Sequence, residues 1–321
     1  MKNMKFTQMK PDQIDLDDQR FRIPSFSSLG SLIPSIKKAG ILNPPVVTTR
    51  SGKIIAVSGF RRIIASRKLS LPMIPVFVLK ETSDREAFKI PLYENLSVRD
   101  YTPIEIASII KKLHDFGEPP QSIVRTYLPL FKSPPKREVM DVYISIHHLS
   151  EDIKEIAYKK QWPFSTLELM TNFTEKENKA LYPFLKAMSL NKQKQLIENL
   201  FDISRKRDIS VQDLLSSDEF SFIQNDKSLS SVQKAEEIFE LTRQKRNPLM
   251  SMWRDSFQKA CENLDLPEEI TVIPSKYFEG DTLSLKLDFK SRSELKKSIQ
   301  KLKELSDKKE ITLLLDPLSH D

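Results

Sequence analysis

A single cysteine, Cys261, and four histidines, His114, His147, His148 and His320, are spread over 321 residues. One cysteine cannot close a disulfide within the chain, and histidines so placed lack metal-ligand spacing. A disulfide framework and a His/Cys zinc site are therefore excluded. No apolar run approaches the roughly 20 residues of a membrane span. Charged residues make up 30% of the chain and its mean hydropathy is −0.40. The opening M-K-N-M-K-F-T-Q-M-K has no apolar core of the kind a secretory signal carries, which predicts a soluble, cytoplasmic chain without membrane attachment. Its length suggests two or three domains with ample buried core.

The positive charge that is present is uneven. Residues 1–102 hold 17 Lys and Arg against 9 Asp and Glu, residues 103–215 hold 17 against 15, and residues 216–321 hold 17 against 20. The first third is the basic one, a surface suited to a polyanion and equally to plain solubility.

In chain order, Leu29, Leu32, Ile33 and Ile36 recur at helical spacing before Gly40, with Pro34 tolerable only in a first turn that begins near Ser31. Two β-branched runs around Ser51-Gly52 read as a hairpin, and 74–79 reads as a third strand. Between them V-S-G-F-R-R-I-I-A-S (57–66) marks a strand-to-helix junction. Gly59 there lets the backbone approach a ligand, Ser58 flanks it, and Arg61 and Arg62 open the helix, where amides and guanidiniums together cradle an anion. Solvated helix arginines are the plain alternative.

A capping box with proline at the first helical position, Thr102-Pro103-Ile104-Glu105, then starts a strand-free stretch. Within it, helices over 121–128 and 136–147 form a candidate helix-turn-helix, or else a bundle hairpin. Val139, Met140, Tyr143 and Ile146 face inward in the second helix, leaving Lys136, Arg137, Asp141 and Ser145 outward as the residues to meet DNA. Residues 218–230 are Ser- and Asp-rich and read as a linker. After it come a helix with Leu249, Trp253, Phe257, Ala260 and Leu264 on one side, and two strands joined around Gly280. The second strand alternates Leu283, Leu285, Leu287 and Phe289. A helix capped by Ser291 and a last strand, 311–315, complete the chain. The fold class is α+β: an α+β domain over 1–101, an all-α helix-turn-helix domain over 102–217, the linker, and a small α/β domain over 231–321.

The segments S-I-K-K-A-G-I-L-N-P-P (35–45), S-G-F-R-R-I-I-A (58–65) and E-N-L-S-V-R-D-Y-T-P-I-E-I-A (94–107) resemble the ParB/Spo0J family of partition proteins, and the resemblance extends over roughly residues 12–215. It implies a nucleotide, CTP with Mg²⁺, held by a first box matched by Gly59, Arg61 and Arg62 and a second matched by Glu94 and Asn95. Asn95 would be the metal contact, and Arg22 corresponds to a further arginine. It also implies a recognition helix beginning at Lys136-Arg137, double-stranded DNA as partner, a partition ATPase, a homodimer and residence on the nucleoid. Three departures stand out: Phe60 replaces the acidic residue of the first box, Ile64 replaces its third arginine, and Arg99 falls one position late in the second. Loss of the carboxylate leaves at most a weak CTPase. A transcriptional regulator using the same helix-turn-helix is an alternative reading. A small-molecule phosphotransferase on the related sulfiredoxin-like fold is a second, and it too lacks its carboxylate at position 60.

Overall fold

The computed structural model describes residues 4–24, 29–264, 266, 269–274 and 282–306. The chain divides into two compact units between Ile197 and Glu198. The first unit opens with five strands, β1 (Met4–Met9), β2 (Ile14–Asp15), β3 (Val46–Arg50), β4 (Lys53–Ser58) and β5 (Ile74–Leu79), in the sheet order β1-β5-β3-β4-β2. β3 and β4 form the expected hairpin, with Arg50 opposite Lys53. Ser51 and Gly52 both take positive φ, 49° and 76°, as the tight turn between twisted strands requires. β5 runs parallel to β3, and the edges are β1, antiparallel to β5, and β2, parallel to β4. Both edge strands lie outside the sequence expectation.

Three helices accompany this sheet: α1 (Leu32–Ala39), α2 (Phe60–Lys68) and α3 (Asp84–Leu96). α1 starts after Ser31 with Pro34 in its first turn and stops at Gly40, φ 70°, while Ser83 caps α3 by accepting from the Glu86 amide. Beyond Thr102 the described residues of this unit are helical: α4 (Pro103–Asp115), the short α5 (Pro120–Ser122), a π turn over Ile123–Tyr127, α6 (Leu128–Leu130), α7 (Arg137–His147), α8 (Glu151–Lys160), α9 (Phe164–Met170) and α10 (Glu175–Ala187). α4 packs on α7 around Ile109, Ile110, Leu113, Met140 and Ile146, all buried. Trp162 is buried and donates its indole N–H to Gln193 Oε1 at 2.7 Å. An N-terminal α+β domain followed by helices is thus the architecture of this unit.

α11 (Leu190–Arg207) runs through the division between the units, so the boundary falls some twenty residues before the expected 217/218. The second unit continues with α12 (Val211–Ser216), α13 (Asp218–Asn225), α14 (Ser231–Arg246), α15 (Pro248–Asn263), β6 (Ile270–Pro274), β7 (Leu283–Leu287) and α16 (Arg292–Ser306). The stretch read as a linker over 218–230 therefore carries a helix. Polar composition misleads there, because Phe220 is fully buried and anchors α13. β6 and β7 pair antiparallel, with Val272 opposite Leu285. Phe257, Ala260 and Leu264 of the expected stripe form a small core with Trp253 and Cys261 packed on it, whereas Leu249 is exposed. Burial raises the Cys261 thiol above its usual range, the behaviour of a packing residue. The alternating strand is only half covered, since Leu285 and Phe289 remain more than half exposed. Gly280 and the strand expected over 311–315 lie outside the described residues.

One buried node joins the sheet domain to the helices. Glu105 is fully buried; its oxygens accept from Arg99 at 2.6 and 2.9 Å and from the Thr102 amide and hydroxyl at 2.9 and 3.0 Å. Glu105→Ala should lower the stability of the full chain by about 2–3 kcal/mol, because it orphans Arg99 and the helix cap together. Urea denaturation measures this, and an unchanged midpoint would show that the node contributes nothing.

Candidate functional site

β4 ends at Ser58 and α2 starts at Phe60, so the chain must reverse from strand to helix across one residue. Gly59 does this with φ 77°, a left-handed conformation, and without a capping side chain. A Cβ at this position would lie 2.8 Å from Pro45 Cβ and 3.0 Å from Pro45 Cα. Both the φ and the close approach demand glycine.

Around this junction lies a cavity of about 370 Å³ lined by Phe21, Arg22, Ile23, Leu32, Ser58, Gly59, Phe60, Arg61, Arg62, Pro91, Glu94, Asn95 and Arg99. All seven residues named for nucleotide and phosphate (Arg22, Ser58, Gly59, Arg61, Arg62, Glu94 and Asn95) are in this lining, although they come from three separate segments of sequence. Four arginines and one carboxylate make it an anion site by charge. Sequence reading left out the apolar wall of Phe21, Ile23, Leu32 and Pro91, which comes together only in the fold. It also left Arg99 out of the site, although its position beside the second box was visible.

The polar groups are already engaged. Arg62 Nη2 donates to Glu94 Oε1 at 2.5 Å and Arg62 Nη1 donates to the Asn43 carbonyl, while Asn43 Nδ2 donates to the same Glu94 oxygen at 3.2 Å. Asn95 Nδ2 donates to the Pro91 carbonyl at 2.7 Å. Arg22 Nη1 donates to Gln19 Oε1 at 3.0 Å. Glu105 holds Arg99 and raises its guanidinium further above its usual range. Ser58 Oγ is buried and has no hydrogen-bond partner among the described residues, an unmet polar atom in the wall of an arginine-rich cavity. Phe60, in place of an acidic residue, is mostly buried and adds its ring to the core.

The residues named for DNA share the outer face of α7. Lys136 is its N-cap residue and Arg137 its first helical residue, and both are exposed, as are Asp141 and Ser145, opposite the buried Met140, Tyr143 and Ile146. Arg137 Nε donates to Asp141 at 3.0 and 3.2 Å, and Ser145 Oγ donates to the Asp141 carbonyl at 3.1 Å. The turn before α7 is anchored by Ser133 and Tyr143, whose hydroxyls lie 2.9 Å apart. Nearby, burial and the Lys154 ammonium push His147 down to about 4, so it is neutral at physiological pH. Among the described residues no group of three or more His, Cys, Asp or Glu side chains could hold a metal, and no helix is long and apolar enough to cross a membrane.

A left-handed glycine at a strand-to-helix switch, opening on an arginine-rich cavity and followed by helices, defines an α+β domain with a basic cavity, joined to a helical region. Residues 2–96 match the family model of the ParB N-terminal domain. A probable chromosome 1-partitioning protein ParB of Deinococcus radiodurans is 38% identical over 90 residues, which are 28% of this chain and 31% of that protein. A probable chromosome-partitioning protein ParB of Borreliella burgdorferi is 25% identical over 210 residues, 63% of this chain and 78% of that one. The crystal structure of a C-terminally truncated chromosome-partitioning protein ParB from Caulobacter crescentus, complexed to the centromeric parS site, aligns at 16% identity and a TM-score of 0.33, covering 60% of this chain and 98% of that one. The match identifies residues 2–96 as a ParB N-terminal domain. The chain spans about a third of the length of the Deinococcus relative.

Gly59→Ala should destabilise the full chain by about 2–3 kcal/mol, from left-handed strain plus the Pro45 contact. Thermal denaturation against the parent checks it, and a loss below about 0.5 kcal/mol would mean that the junction relaxes freely.

Proposed function

We propose that this chain is a DNA-binding partition protein that holds a nucleotide, CTP with Mg²⁺, in the cavity at Gly59. The observation that carries the reading is the convergence of Arg22, Ser58, Gly59, Arg61, Arg62, Glu94 and Asn95 on one cavity, with Ser58 Oγ still unpartnered. Phosphate oxygens suit the guanidiniums and the open helix start, and the apolar wall suits the rest of a nucleotide. When bound, Mg²⁺ would neutralise phosphate charge. The hard oxygens of the Glu94 carboxylate and the Asn95 amide carbonyl are the donors that fit it, with phosphates and water as the remaining ligands. The chain's own residues orient the triphosphate and exclude water with Phe21, Ile23 and Phe60. No carboxylate other than Glu94 lines the cavity among the described residues, so the reading is of binding with at most weak turnover. DNA is met by α7, with Arg137 as base reader and Lys136 as phosphate contact. A homodimer, a partition ATPase as partner and a place on the nucleoid belong to the same reading.

Calorimetric titration with CTP, ATP and GTP, with and without Mg²⁺ and DNA, tests it. Arg62→Ala should weaken CTP binding by about 1.5–3 kcal/mol, one lost charge-assisted hydrogen bond. Glu94→Gln should tighten binding in Mg²⁺-free buffer, because it removes a negative charge and releases Arg62. Absence of CTP binding by the parent, or an Arg62→Ala protein indistinguishable from it, would sink the nucleotide site.

For DNA, Arg137→Ala should cost about 1–3 kcal/mol on a selected site and much less on random DNA. Lys136→Ala should weaken all sequences alike and reduce the log–log salt slope by about one. Fluorescence anisotropy over a salt series reads both; equal affinity of Arg137→Ala and parent for the selected site would return α7 to a bundle hairpin.

A further inference from the structure

Arg22 reaches the cavity from an irregular segment, and what fixes that segment lies far away in sequence. The Arg22 amide donates to the Gln19 carbonyl at 3.1 Å, closing a turn over residues 19–22. The Lys112 ammonium, near the end of α4, donates to the Gln19 carbonyl at 2.7 Å and to the Arg20 carbonyl at 2.8 Å. Between these carbonyls and Arg22 sits Phe21, fully buried, its ring centre 5.9 Å from that of Phe116, one residue beyond α4. Phe116 in turn meets Phe88 of α3 at 5.5 Å. Arg20 is held separately by Asp18 and by Asp84, with 3.0 Å contacts to each.

The burial that lets Lys112 make these bonds pushes its ammonium down to about 8, with Asp115 and Asp18 opposing the shift. Desolvating a lysine is costly, and both of its bonds go to backbone carbonyls of the one turn that presents Arg22. A lysine needed only for solubility would keep its ammonium in water.

We infer that Lys112 is a positioning residue of the anion cavity: from α4 it grips the turn over 19–22 and so presents Arg22 to the phosphates of a bound nucleotide. The inference rests on the nucleotide reading above. It gives α4 two jobs, because the helix that packs under α7 also sets one wall of the cavity, through Lys112 at its last turn and through Glu105 and Arg99 at its first. Both hydrogen bonds of Lys112 go to residues outside the lining, so it acts through Arg22.

The test uses the full chain and the variants Lys112→Met, Lys112→Arg, Arg22→Ala and Lys112→Met with Arg22→Ala. Lys112→Met and Arg22→Ala should each weaken CTP binding about tenfold, the size of one charge-assisted hydrogen bond. The double variant should be no weaker than Arg22→Ala alone, because the lysine acts through the arginine. Lys112→Arg, which keeps a cation for the two carbonyls, should stay within about threefold of the parent. Additive losses, or full CTP affinity in Lys112→Met, would overturn the inference. Amide exchange without ligand separates this from failure of the nucleotide reading. Lys112→Met should speed exchange at Arg20, Phe21 and Arg22 while leaving the β3 and β4 amides protected. If the parent binds no CTP, the site reading falls, and unchanged protection of residues 20–22 in Lys112→Met would remove the grip as well.

Discussion

The fold of the first unit turns on the contact between Gly59 and Pro45. A strand cannot pass into a helix across one residue unless that residue accepts a left-handed backbone. Here it must also lie against the proline that opens β3, with no room for a Cβ. Several features follow from this one constraint. β3 and β4 slip register between Val46 and Val47, with Val46 opposite Ser58, so the sheet loses its regular pairing where the cavity begins. α2 starts with an uncapped turn facing that cavity, and Arg61 and Arg62 fall into its lining instead of projecting from the sheet. Ser58, buried with its hydroxyl unmet, is the residue left at the seam.

The cavity is preorganised, but by partners that a ligand must replace. Arg62 is neutralised by Glu94, Arg99 by Glu105, and Arg22 leans on the amide of Gln19. These pairs differ in what they would cost to break. Glu94 lines the cavity, so a phosphate can take its place on Arg62 while water or a cation receives the released carboxylate. Glu105 is fully buried and also caps α4, so Arg99 cannot leave it without orphaning the helix start. In the proposed site Arg99 would therefore contribute field, and Arg62 a bond. The Arg99 guanidinium is bound to Glu105, at the start of the helical region.

Much of this was legible in the sequence where the signal is local. The Ser51-Gly52 turn, the strand-to-helix switch at Gly59 and the Thr102-Glu105 capping box each lie within a few residues of their partners, and each is found where the residues point. Misses occur where the partner is distant or the period too short. β1 leaves Phe6 56% exposed and pairs with β5 some seventy residues on, so its alternation is weak, and two-residue β2 has no period at all. Lys112 carries no local signal of its role, because the carbonyls it holds lie 92 and 93 residues earlier. The serine-rich stretch after 216 failed for another reason. Serine serves as a cap as readily as a linker, and Ser217 and Ser230 are the N-cap residues of α13 and α14.

α7 leaves a question of balance that charge counts alone answer poorly. Residues 103–215 carry almost as many acids as bases, and Arg137 spends its charge on Asp141 before any DNA arrives. That pair is more than half exposed on both sides, so it is worth only a few tenths of a kcal/mol and yields readily to a guanine edge or a phosphate. If α7 meets DNA as proposed, Asp141 would remain on that face once Arg137 left it, one turn along the helix, where it would repel any phosphate that a misplaced register brought close. The face is therefore better suited to choosing a site than to gripping DNA at large. On the proposed reading, non-sequence-dependent attraction would come from elsewhere, and the surplus of eight positive charges lies in residues 1–102. A nucleotide with its phosphates in the Gly59 cavity would cancel part of that same surplus, so occupancy of the cavity and attraction to DNA draw on one pool of positive charge. Binding of the nucleotide should then weaken the general hold on DNA even where no atom of α7 moves.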